Sequence, residues 1–536
     1  SANWMWPCGN LGEDARLYEA VEACSDFAKN LGINIPTGKD SLSMKQKYSD
    51  LEVKAPGTVI ISATGHCSDI NNIITPDIKP NGGSLFYIDF SNDKKFLGGT
   101  AFAQVQNKIG NKASVIKDSD YFKKVFNAVQ KIIKQGKVSS GHDISYGGFI
   151  TTILEMFFPT PNIGVNIILD KVDNINKNLF FENPGVLVQS NYDLIDFFGA
   201  KGINCLKIGE INKSSRKIKI EYDKKQIDFD IDFFRDIWFK TSSDLDEHQT
   251  KNYKAYERYK NYKNHILDFK FPKSFSGNFN STLSKNKLKA AIIREKGSNS
   301  EREMAYAMQL VGFEVSDIHM TDLINGYSDL SEFNFIVAVG GFSNSDVLGS
   351  AKGWAGSFLY NKKAKKSLDN FFKKPNTLSL GVCNGCQLFV ELGLITPELK
   401  NKPKMLHNES GKFECTFTAV DIQKSSSIFL KGLEGSRLGI WAAHGEGKFS
   451  LPGNKNKYQI PATYYHDTYP ANPNGSDHNA AMLSSNNGRH LVMMPHLERS
   501  TFPWNWAFYP EERRKDNITP WIKAFENAYN WLLENK

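Results

Sequence analysis

The segment TLSLGVCNGCQLFVELGL, residues 377–394, reads as an apolar strand, a tight turn and an amphipathic helix. A turn of this kind lifts a nucleophile above the sheet, and the start of the following helix offers backbone N–H donors and a positive dipole end that favour a thiolate. Cys383 stands in this turn, here called the elbow, and Gly381 and Gly385 permit the close packing and unusual dihedral angles that it needs. The segment therefore predicts a doubly wound α/β domain in which Cys383 is a nucleophile.

Two other interpretations of Cys383 stay open at this point. Cysteine is often a small buried core residue, and residue type alone favours that role. Cys383 and Cys386 also form a CxxC pair, which is typical of redox and zinc sites. The sequence contains no second CxxC, and Cys386 falls within the predicted helix, so the pattern favours the nucleophile.

A cysteine nucleophile needs a base, and the base needs a group that orients it. The stretch HLVMMPHLER, residues 490–499, supplies both in His496 and Glu498. If MMPHLE stays extended, strand alternation places these two side chains on the same side, so that Glu498 can hold the imidazole in one tautomer. An isolated histidine at a strand end is often incidental, but together with the elbow this one predicts a catalytic triad.

Residues 286–536 alternate between apolar strands and helices. This alternation predicts a parallel, doubly wound sheet, in which sites form at the carboxyl ends of the strands. The segments that carry the prediction are LKAAIIRE (288–295), EVSDIHM (314–320), NFIVAVGG (334–341), TLSLGV (377–382) and the closing helix WIKAFENAYNWLLENK (521–536).

The upstream half divides by pattern into three parts. Residues 1–75 combine a helix over Asp14–Leu31 with a buried-type strand, TVIISATG, and look incomplete as a domain. Residues 76–240 predict an α+β domain. Residues 241–285 lose apolar periodicity and fill with Lys, Asn, Ser and Tyr, which predicts a solvated linker. The elements of the α+β domain are predicted from LFYIDF (85–90), YFKKVFNAVQKIIKQG (121–136), SYGGFITTILEMFF (145–158), VLVQS (186–190) and KIKIEY (217–222).

Composition argues against several classes of protein. No apolar run approaches the ~18 residues of a membrane span, and the start SANWMWPCGN lacks the basic start and apolar stretch of a secretory signal. The formal charge of +8 comes from Lys-rich polar segments without a nucleic-acid fold motif. Seven cysteines in no regular framework suit reduced thiols. We therefore expect a cytoplasmic protein that binds neither nucleic acid nor membranes.

A series of motifs extends on both sides of the elbow. They are GEDARLYEAV (12–21), IPTGKDSLSM (35–44), SGHDISYGGF (140–149), VAVGGFSNSDVLG (337–349), GVCNGCQ (381–387), HNESGKFE (407–414), WAAHGEGKF (441–449), YPANPNGS (469–476) and MMPHLERS (493–500). In this order they resemble the large single-chain phosphoribosylformylglycinamidine synthases, over nearly the whole chain. The resemblance implies the C-terminal part of such a synthase, in which an aminoimidazole ribonucleotide synthetase-like module precedes a class I glutamine amidotransferase domain.

The resemblance assigns the chemistry of the triad. It implies that Cys383 attacks the side-chain amide of glutamine, giving a γ-glutamyl thioester and ammonia, while His496 moves the proton and Glu498 orients the imidazole. Leu497 departs from the family, which has proline between the histidine and the glutamate. Leucine restores a backbone N–H and frees φ, so we expect slackened positioning at most.

The resemblance also implies the groups that surround glutamine. Backbone N–H groups near Gly341 and Phe342, with that of Asn384, would form the oxyanion hole. A turn that requires glycine is the competing explanation for the GGF sequence. The side chains implied in glutamine binding are Gln387, Asn408, Ser410 and His444, for three of which (Asn408, Ser410 and His444) surface-loop roles remain open.

In the upstream half, SGHDISYGGF resembles a nucleotide and magnesium site, with Asp143 on the metal and Ser145 on the nucleotide. Oxygen ligands suit Mg²⁺. Asp and Ser are also preferred at the starts of helices whatever the ligand, and this alternative stays open.

The family reaction is ATP-dependent amidation of formylglycinamide ribonucleotide by glutamine-derived ammonia, in purine biosynthesis, with ADP and phosphate as products. The resemblance implies ATP or ADP and Mg²⁺ as cofactors, and a further N-terminal synthetase module, in the same chain or a separate one, as partner. Two alternatives remain: a free-standing glutaminase subunit of a split synthase, and an upstream half that holds nucleotide only as a scaffold.

Overall fold

The computed structural model describes residues 1–70, 72–169, 172–265, 267–279 and 288–535. The chain forms two compact units, Ser1–Trp238 and Phe239–Lys536. The break between them falls next to the predicted boundary at residue 240. The predicted boundaries at residues 75 and 285 stay predictions. In the part of the chain that the structure describes, no helix combines the length and the apolar character needed to cross a membrane.

A small sheet and a long helix open the first unit: β1 (Ala2–Met5), α1 (Glu13–Leu31), β2 (Gly38–Ser41), β3 (Lys45–Tyr48), β4 (Leu51–Lys54) and β5 (Thr58–Ile61). The sheet has the order β2-β1-β5, and α1 matches the predicted helix. The prediction of a buried strand at β5 is wrong, because Val59, Ile60 and Ile61 are 38%, 51% and 52% exposed. Successive side chains of a strand point to opposite faces, so neither face of β5 is covered within this unit.

A larger sheet follows, with these elements: β6 (Ser84–Asp89), α2 (Ala101–Gln104), α3 (Ser119–Lys134), β7 (Ser140–Asp143), α4 (Gly148–Phe157), β8 (Gly164–Leu169), α5 (Ile175–Phe180), β9 (Gly185–Ser190), α6 (Ile195–Gly199), β10 (Cys205–Asn212), β11 (Lys217–Tyr222), β12 (Lys225–Asp230) and α7 (Ile231–Glu247). Its order is β12-β11-β8-β10-β6-β9-β7. One apolar core includes the buried face of α4, and a second includes that of α3. The five predicted elements are confirmed, and the domain is α+β.

The second unit contains α8 (Lys254–Asn261), β13 (Leu288–Arg294), α9 (Glu301–Leu310), β14 (Phe313–His319), α10 (Met320–Asn325), β15 (Phe335–Ala338), α11 (Lys352–Leu359), α12 (Lys362–Lys373), β16 (Leu378–Val382), α13 (Asn384–Glu391), β17 (Lys404–Leu406), β18 (Glu414–Ile422), β19 (Arg437–His444), β20 (Lys448–Ser450), β21 (Gln459–Tyr464), β22 (Ala480–Ser484), β23 (His490–Met493) and α14 (Ile522–Glu534). Its main sheet has the order β14-β13-β15-β16-β23-β22-β21-β18-β19.

This sheet is parallel in one half only. Strands from β14 to β23 in the sheet order run parallel, which confirms the prediction for that half. Strands from β23 to β19 pair antiparallel, which the prediction of a wholly parallel sheet missed. The chain between β18 and β23, all of it described, contains 3₁₀ turns but no α-helix, and a parallel pair needs a longer crossover connection.

The structure also differs from the solvated linker expected at residues 241–285. Helix α7 ends at Glu247, and α8 occupies Lys254–Asn261. Farther along, four phenylalanines pack against the core of the second unit: Phe269, Phe271, Phe275 and Phe279. Ile266 and residues 280–285 lie outside the described residues. The polar composition hid this structure because α8 is held mainly by ion pairs and hydrogen bonds.

Two backbone approaches fix the elbow between β16 and α13. A Cβ added to Gly381 would lie 2.6 Å from the Gly385 carbonyl oxygen. A Cβ added to Gly385 would lie 2.0 Å from the Ala338 carbonyl oxygen of β15. The helix can therefore begin this close to the strands only because both positions lack a side chain.

Replacing Gly385 by alanine should destabilise the second unit. The new methyl group would meet backbone of β15, which cannot move as a flexible side chain could, so we expect a loss of about 3 kcal/mol in the free energy of unfolding. The measurement is chemical denaturation. Gly356→Ala in α11 is the control, because its Cβ would meet nothing closer than 3.8 Å. Equal stability of the two variants would contradict the packing argument.

Candidate active site

Cys383 lies on the elbow with a strained backbone. Its φ of 53° and ψ of −107° are outside the regions that non-glycine residues prefer, and its side chain is buried. Its N–H donates to the Met493 carbonyl oxygen at 2.8 Å, and its Sγ lies 3.5 Å from the Ala443 carbonyl oxygen. Strain that is held by its surroundings in this way is typical of a nucleophile elbow.

A histidine–carboxylate pair stands beside Cys383. Nδ1 of His496 and Oε1 of Glu498 are 2.6 Å apart, and both side chains are buried. A Cβ added to Gly340 would lie 2.8 Å from Cε1 of His496 and 3.4 Å from Cβ of Cys383, so the imidazole and the cysteine meet across this glycine. Nε2 of His496 has no hydrogen-bond partner among the described residues. The structure thus brings the three predicted triad residues together.

The chain reaches this arrangement by a turn. Strand β23 ends at Met493, Leu497 has φ −69° and ψ −33°, and Glu498 opens a 3₁₀ turn. The expectation of an extended segment is therefore wrong, and the helical dihedral angles of Leu497 bring His496 and Glu498 into contact. The φ of Leu497 lies within the range that proline would impose.

The electrostatics of the pair favour its charged form. Burial alone would lower the pKa of His496, but the Glu498 carboxylate and Cys383 outweigh burial and raise that pKa to about 10. Burial alone would raise the pKa of Glu498, but His496 outweighs it and lowers that pKa. The neighbouring His444 has its pKa lowered to about 3, by burial and then by His496, and is neutral.

A cavity of about 370 Å³ opens in front of Cys383 and His496. Its lining includes four charged residues that the sequence analysis did not single out: Asp346, Lys412, Glu446 and Arg499. Each lies inside or beside a motif that was noted, but sequence spacing alone does not say which motif residues face the same space. Burial of Asp346, and then the charge of Glu446, raise the pKa of the Asp346 carboxyl.

The backbone donors near the cysteine differ in part from the expected oxyanion hole. The Phe342 N–H donates to the Gly297 carbonyl oxygen at 2.8 Å, so this donor is already engaged and its predicted role is wrong for this conformation. Gly341 has φ 114° and lines the cavity, and Asn384 begins α13 directly after Cys383. The N–H groups of Gly341 and Asn384 remain as candidate donors. The ring of Phe342 lines the cavity instead.

Asn408 does not line the cavity but bonds to two residues that do, His444 and Lys412. Its Nδ2 donates to the carbonyl oxygens of His444 at 2.7 Å and Lys412 at 3.0 Å, and its Oδ1 accepts from Gly447 N–H at 3.0 Å. These bonds occupy the amide, so the structure differs from a direct contact of Asn408 with glutamine. His444 itself lines the cavity.

Gln387 and Ser410 occupy different positions. Gln387 lines the cavity, accepts from Asn384 Nδ2 at 2.8 Å and donates to the Glu446 carbonyl oxygen at 2.8 Å. Ser410 is fully buried, and its Oγ has no hydrogen-bond partner in the described ranges. It does not line the cavity, so its predicted contact with glutamine is not seen.

Asp143 is the last residue of β7, and Ser145 lies between β7 and α4 in the first unit; both are exposed. Oδ1 of Asp143 is 3.3 Å from Nδ1 of His142. Within the described residues, no group of three or more His, Cys, Asp and Glu side chains could hold a metal ion. These residues alone therefore do not fit a complete magnesium site, and Asp143 offers one carboxylate ligand.

Comparison with known proteins identifies the parts of the chain. Residues 287–532 match the model of the CobB/CobQ-like glutamine amidotransferase domain, residues 1–66 that of the FGAR-AT PurM_N-like domain, and residues 91–220 that of the AIR synthase related protein, C-terminal domain. These matches confirm the predicted fold class, a synthetase-like module followed by a class I glutaminase domain.

Named relatives match nearly the whole chain. A probable phosphoribosylformylglycinamidine synthase of Arabidopsis thaliana, described as chloroplastic/mitochondrial, is 40% identical over 99% of this chain and 40% of its own length. The phosphoribosylformylglycinamidine synthase of Homo sapiens is 35% identical over 100% of this chain and 43% of its own. The solved structure of PurLQS from Thermotoga maritima covers 47% of this chain and 99% of its own, at 24% identity and a TM-score of 0.36. The chain thus spans about two fifths of the length of these two synthases.

Replacing Glu498 by glutamine should cost stability in a pH-dependent way. The raised pKa of His496 stabilises the fold fully below pH 6.5, and this contribution is lost as the pH rises towards about 10. The lowered pKa of Glu498 stabilises the fold above pH 4.5 and is lost as the pH falls. The difference in unfolding free energy between wild type and Glu498→Gln should therefore peak between pH 4.5 and 6.5, at about 3 kcal/mol.

Denaturant unfolding at several pH values provides the measurement. Glu303→Gln is the matched control, because Glu303 is half-exposed and lies 4.0 Å from Arg499. The control should show no comparable peak. A difference for Glu498→Gln that stays constant with pH would contradict the charged state of the pair.

Proposed function

Because the chain is homologous to phosphoribosylformylglycinamidine synthases along nearly its whole length, we propose that its second unit hydrolyses glutamine and supplies ammonia to such a synthase. The observation that carries this proposal is the position of Cys383. It stands on a strained elbow, across Gly340 from a buried His496–Glu498 pair, at the wall of a cavity.

The geometry supports a thioester mechanism. Sγ of Cys383 attacks the amide carbon of glutamine as a thiolate, because the charged His496 already holds the proton on Nε2, which has no other hydrogen-bond partner among the described residues. The N–H groups of Gly341 and Asn384 stabilise the oxyanion. The intermediate collapses as His496 returns the proton to the leaving nitrogen, which departs as ammonia. Water then cleaves the γ-glutamyl thioester, with His496 as base, and glutamate leaves.

The charges of the cavity suit the other end of glutamine. A free amino acid carries an ammonium and a carboxylate, and the cavity presents the carboxylates of Asp346 and Glu446 together with the cations of Lys412 and Arg499. His444 is neutral, so it adds no charge to the lining. Complementary charges of both signs favour a zwitterionic amino acid over a simple amide.

The first unit would contribute to the synthetase half. We propose that it binds ATP or ADP, with Ser145 near the nucleotide and Asp143 as one ligand of Mg²⁺, and that formylglycinamide ribonucleotide is the acceptor of ammonia. Asp143 is a single carboxylate, so nucleotide phosphates, water or another synthetase module, in the same chain or a separate one, would supply the other ligands. The uncovered β5 offers a surface for that module. The seven cysteines are all free and all lie in described ranges, which suits a reducing compartment such as the cytoplasm.

Replacing Cys383 by alanine should abolish glutamate release from glutamine. The nucleophile is lost while the fold keeps its packing, and Cys415→Ala, which removes an exposed thiol of the same unit, should leave the rate unchanged. The assay is glutamate production with and without ATP and formylglycinamide ribonucleotide. If wild type and Cys383→Ala are equally inert even with a supplied N-terminal module, the glutaminase proposal fails.

The same assay separates the alternatives for the upstream half. Formation of formylglycinamidine ribonucleotide by this chain alone would contradict the need for another module. Glutamate release without that product, together with tightly bound nucleotide that never turns over, would favour a glutaminase subunit with a nucleotide scaffold.

Replacing Leu497 by proline should change glutamine turnover by less than about threefold. Leu497 already has φ −69°, so proline would find its preferred geometry there. The measurement is kcat for glutamate release. A hundredfold rise would mean that leucine had displaced His496 from its working position.

A further inference from the structure

Residues 408–414, here called the pocket loop, follow β17, end with the first residue of β18 and form part of the wall of the cavity. Gly411, Lys412 and Phe413 line it directly. At one end of the loop, the Asn408 amide holds the chain to His444 and Gly447. The loop therefore decides where the Lys412 cation and the Phe413 ring stand relative to a bound substrate.

A second segment, residues 246–258, contacts the pocket loop through hydrogen bonds, side-chain packing and ion pairs. We call it the clamp segment. Lys251 N–H donates to the Ser410 carbonyl oxygen at 2.8 Å, and Nδ2 of Asn252 donates to the Glu409 carbonyl oxygen at 2.7 Å. The Lys251 side chain also lies against Gly411, where an added Cβ would meet its Cδ at 2.7 Å. These contacts fix the backbone of the loop at three consecutive residues.

A network of ion pairs also joins the clamp segment to the pocket loop. Oδ1 of Asp246 pairs with Nζ of Lys412, and Oδ2 accepts from Nη1 of Arg258 at 2.8 Å. Nη2 of Arg258 donates to Glu414 at 3.0 Å, and the Tyr469 hydroxyl donates to the second oxygen of Glu414 at 2.9 Å. The side chains of Asp246 and Glu414 are only 13% and 5% exposed. Because water screens them little, removing one member would leave the others without compensation.

We propose that the clamp segment is a positioning element of the glutamine site, and that Asp246 and Arg258 set the affinity for glutamine through Lys412 and Glu414. The composition of this segment predicts a solvated linker, whereas its charges are directed at the loop that lines the cavity. Asp246 holds the Lys412 ammonium towards one side of the loop. Without that carboxylate, Lys412 is free to change its place in the cavity, and the loop loses its fixed shape. This inference rests on the proposed glutaminase activity.

Asp246→Asn and Asp244→Asn provide the test, because they are the same substitution on one helix. Asp244 pairs with Lys240 at 2.7 Å but is 58% exposed and belongs to no network with the loop. In the full chain we expect Asp246→Asn to raise KM for glutamine about tenfold with kcat nearly unchanged, and Asp244→Asn to leave both unchanged. Alkylation of Cys383 by iodoacetamide, which carries neither end of an amino acid, should proceed at the wild-type rate in both variants.

Hydrogen exchange of the amides of residues 409–413 tests the same inference without activity. Exchange should accelerate in Asp246→Asn and not in Asp244→Asn. Arg258→Lys, which keeps the charge but loses the forked geometry, should give an intermediate KM and covers the case in which Asp246→Asn does not fold. Equal KM and equal exchange in the two Asp variants would overturn the proposal. An inert wild type would instead count against the glutaminase, and the exchange data would still decide on the clamp.

Discussion

The approach of α13 to β15 at Gly385 is the constraint on which the site depends. The helix starts so close to the Ala338 carbonyl oxygen that no side chain fits between them. Cys383, the residue directly before α13, has a backbone conformation with φ 53°. The sulfur lies at the carboxyl ends of the parallel strands, where Gly340 follows β15 and His496 follows β23. The tight start of α13 thus stands directly beside Cys383 and the groups that surround it.

The parallel half of the main sheet in the second unit and the elbow at Cys383 could be predicted because their signals are local. A strand, two glycines and a helix around Cys383 occupy one short segment, and the parallel strands alternate with helices in sequence. The antiparallel half could not be predicted in this way. Its strands follow one another without α-helices, and their pairing order depends on contacts between residues far apart in sequence.

The site shows the same division. His496 and Glu498 were predicted as partners from their spacing, and they do meet, but through the helical turn at Leu497. Two side chains spaced by two residues can make contact in more than one backbone conformation. The pairing of His496 with Glu498 was therefore predictable, whereas the backbone conformation between them was not. Phe342 shows a different limit of prediction. Its motif was noted, but the sequence does not show that its N–H already donates to the Gly297 carbonyl oxygen and is therefore not free to bind an oxyanion. The sequence did not predict that Asp346 and Glu446 line the same cavity, because they lie far apart in the chain.

Gly340 has a consequence for how this site can change. Both Cys383 and His496 lie so close to Gly340 that a side chain at this position would collide with the imidazole. The approach of Cys383 and His496 to each other therefore depends on the absence of a side chain at position 340. The cavity lining, in contrast, consists largely of side chains on separate loops. Substitutions in those loops can reshape the cavity while Gly340, Cys383 and His496 keep their places, so the shape of the cavity can be engineered independently of the contact at its base.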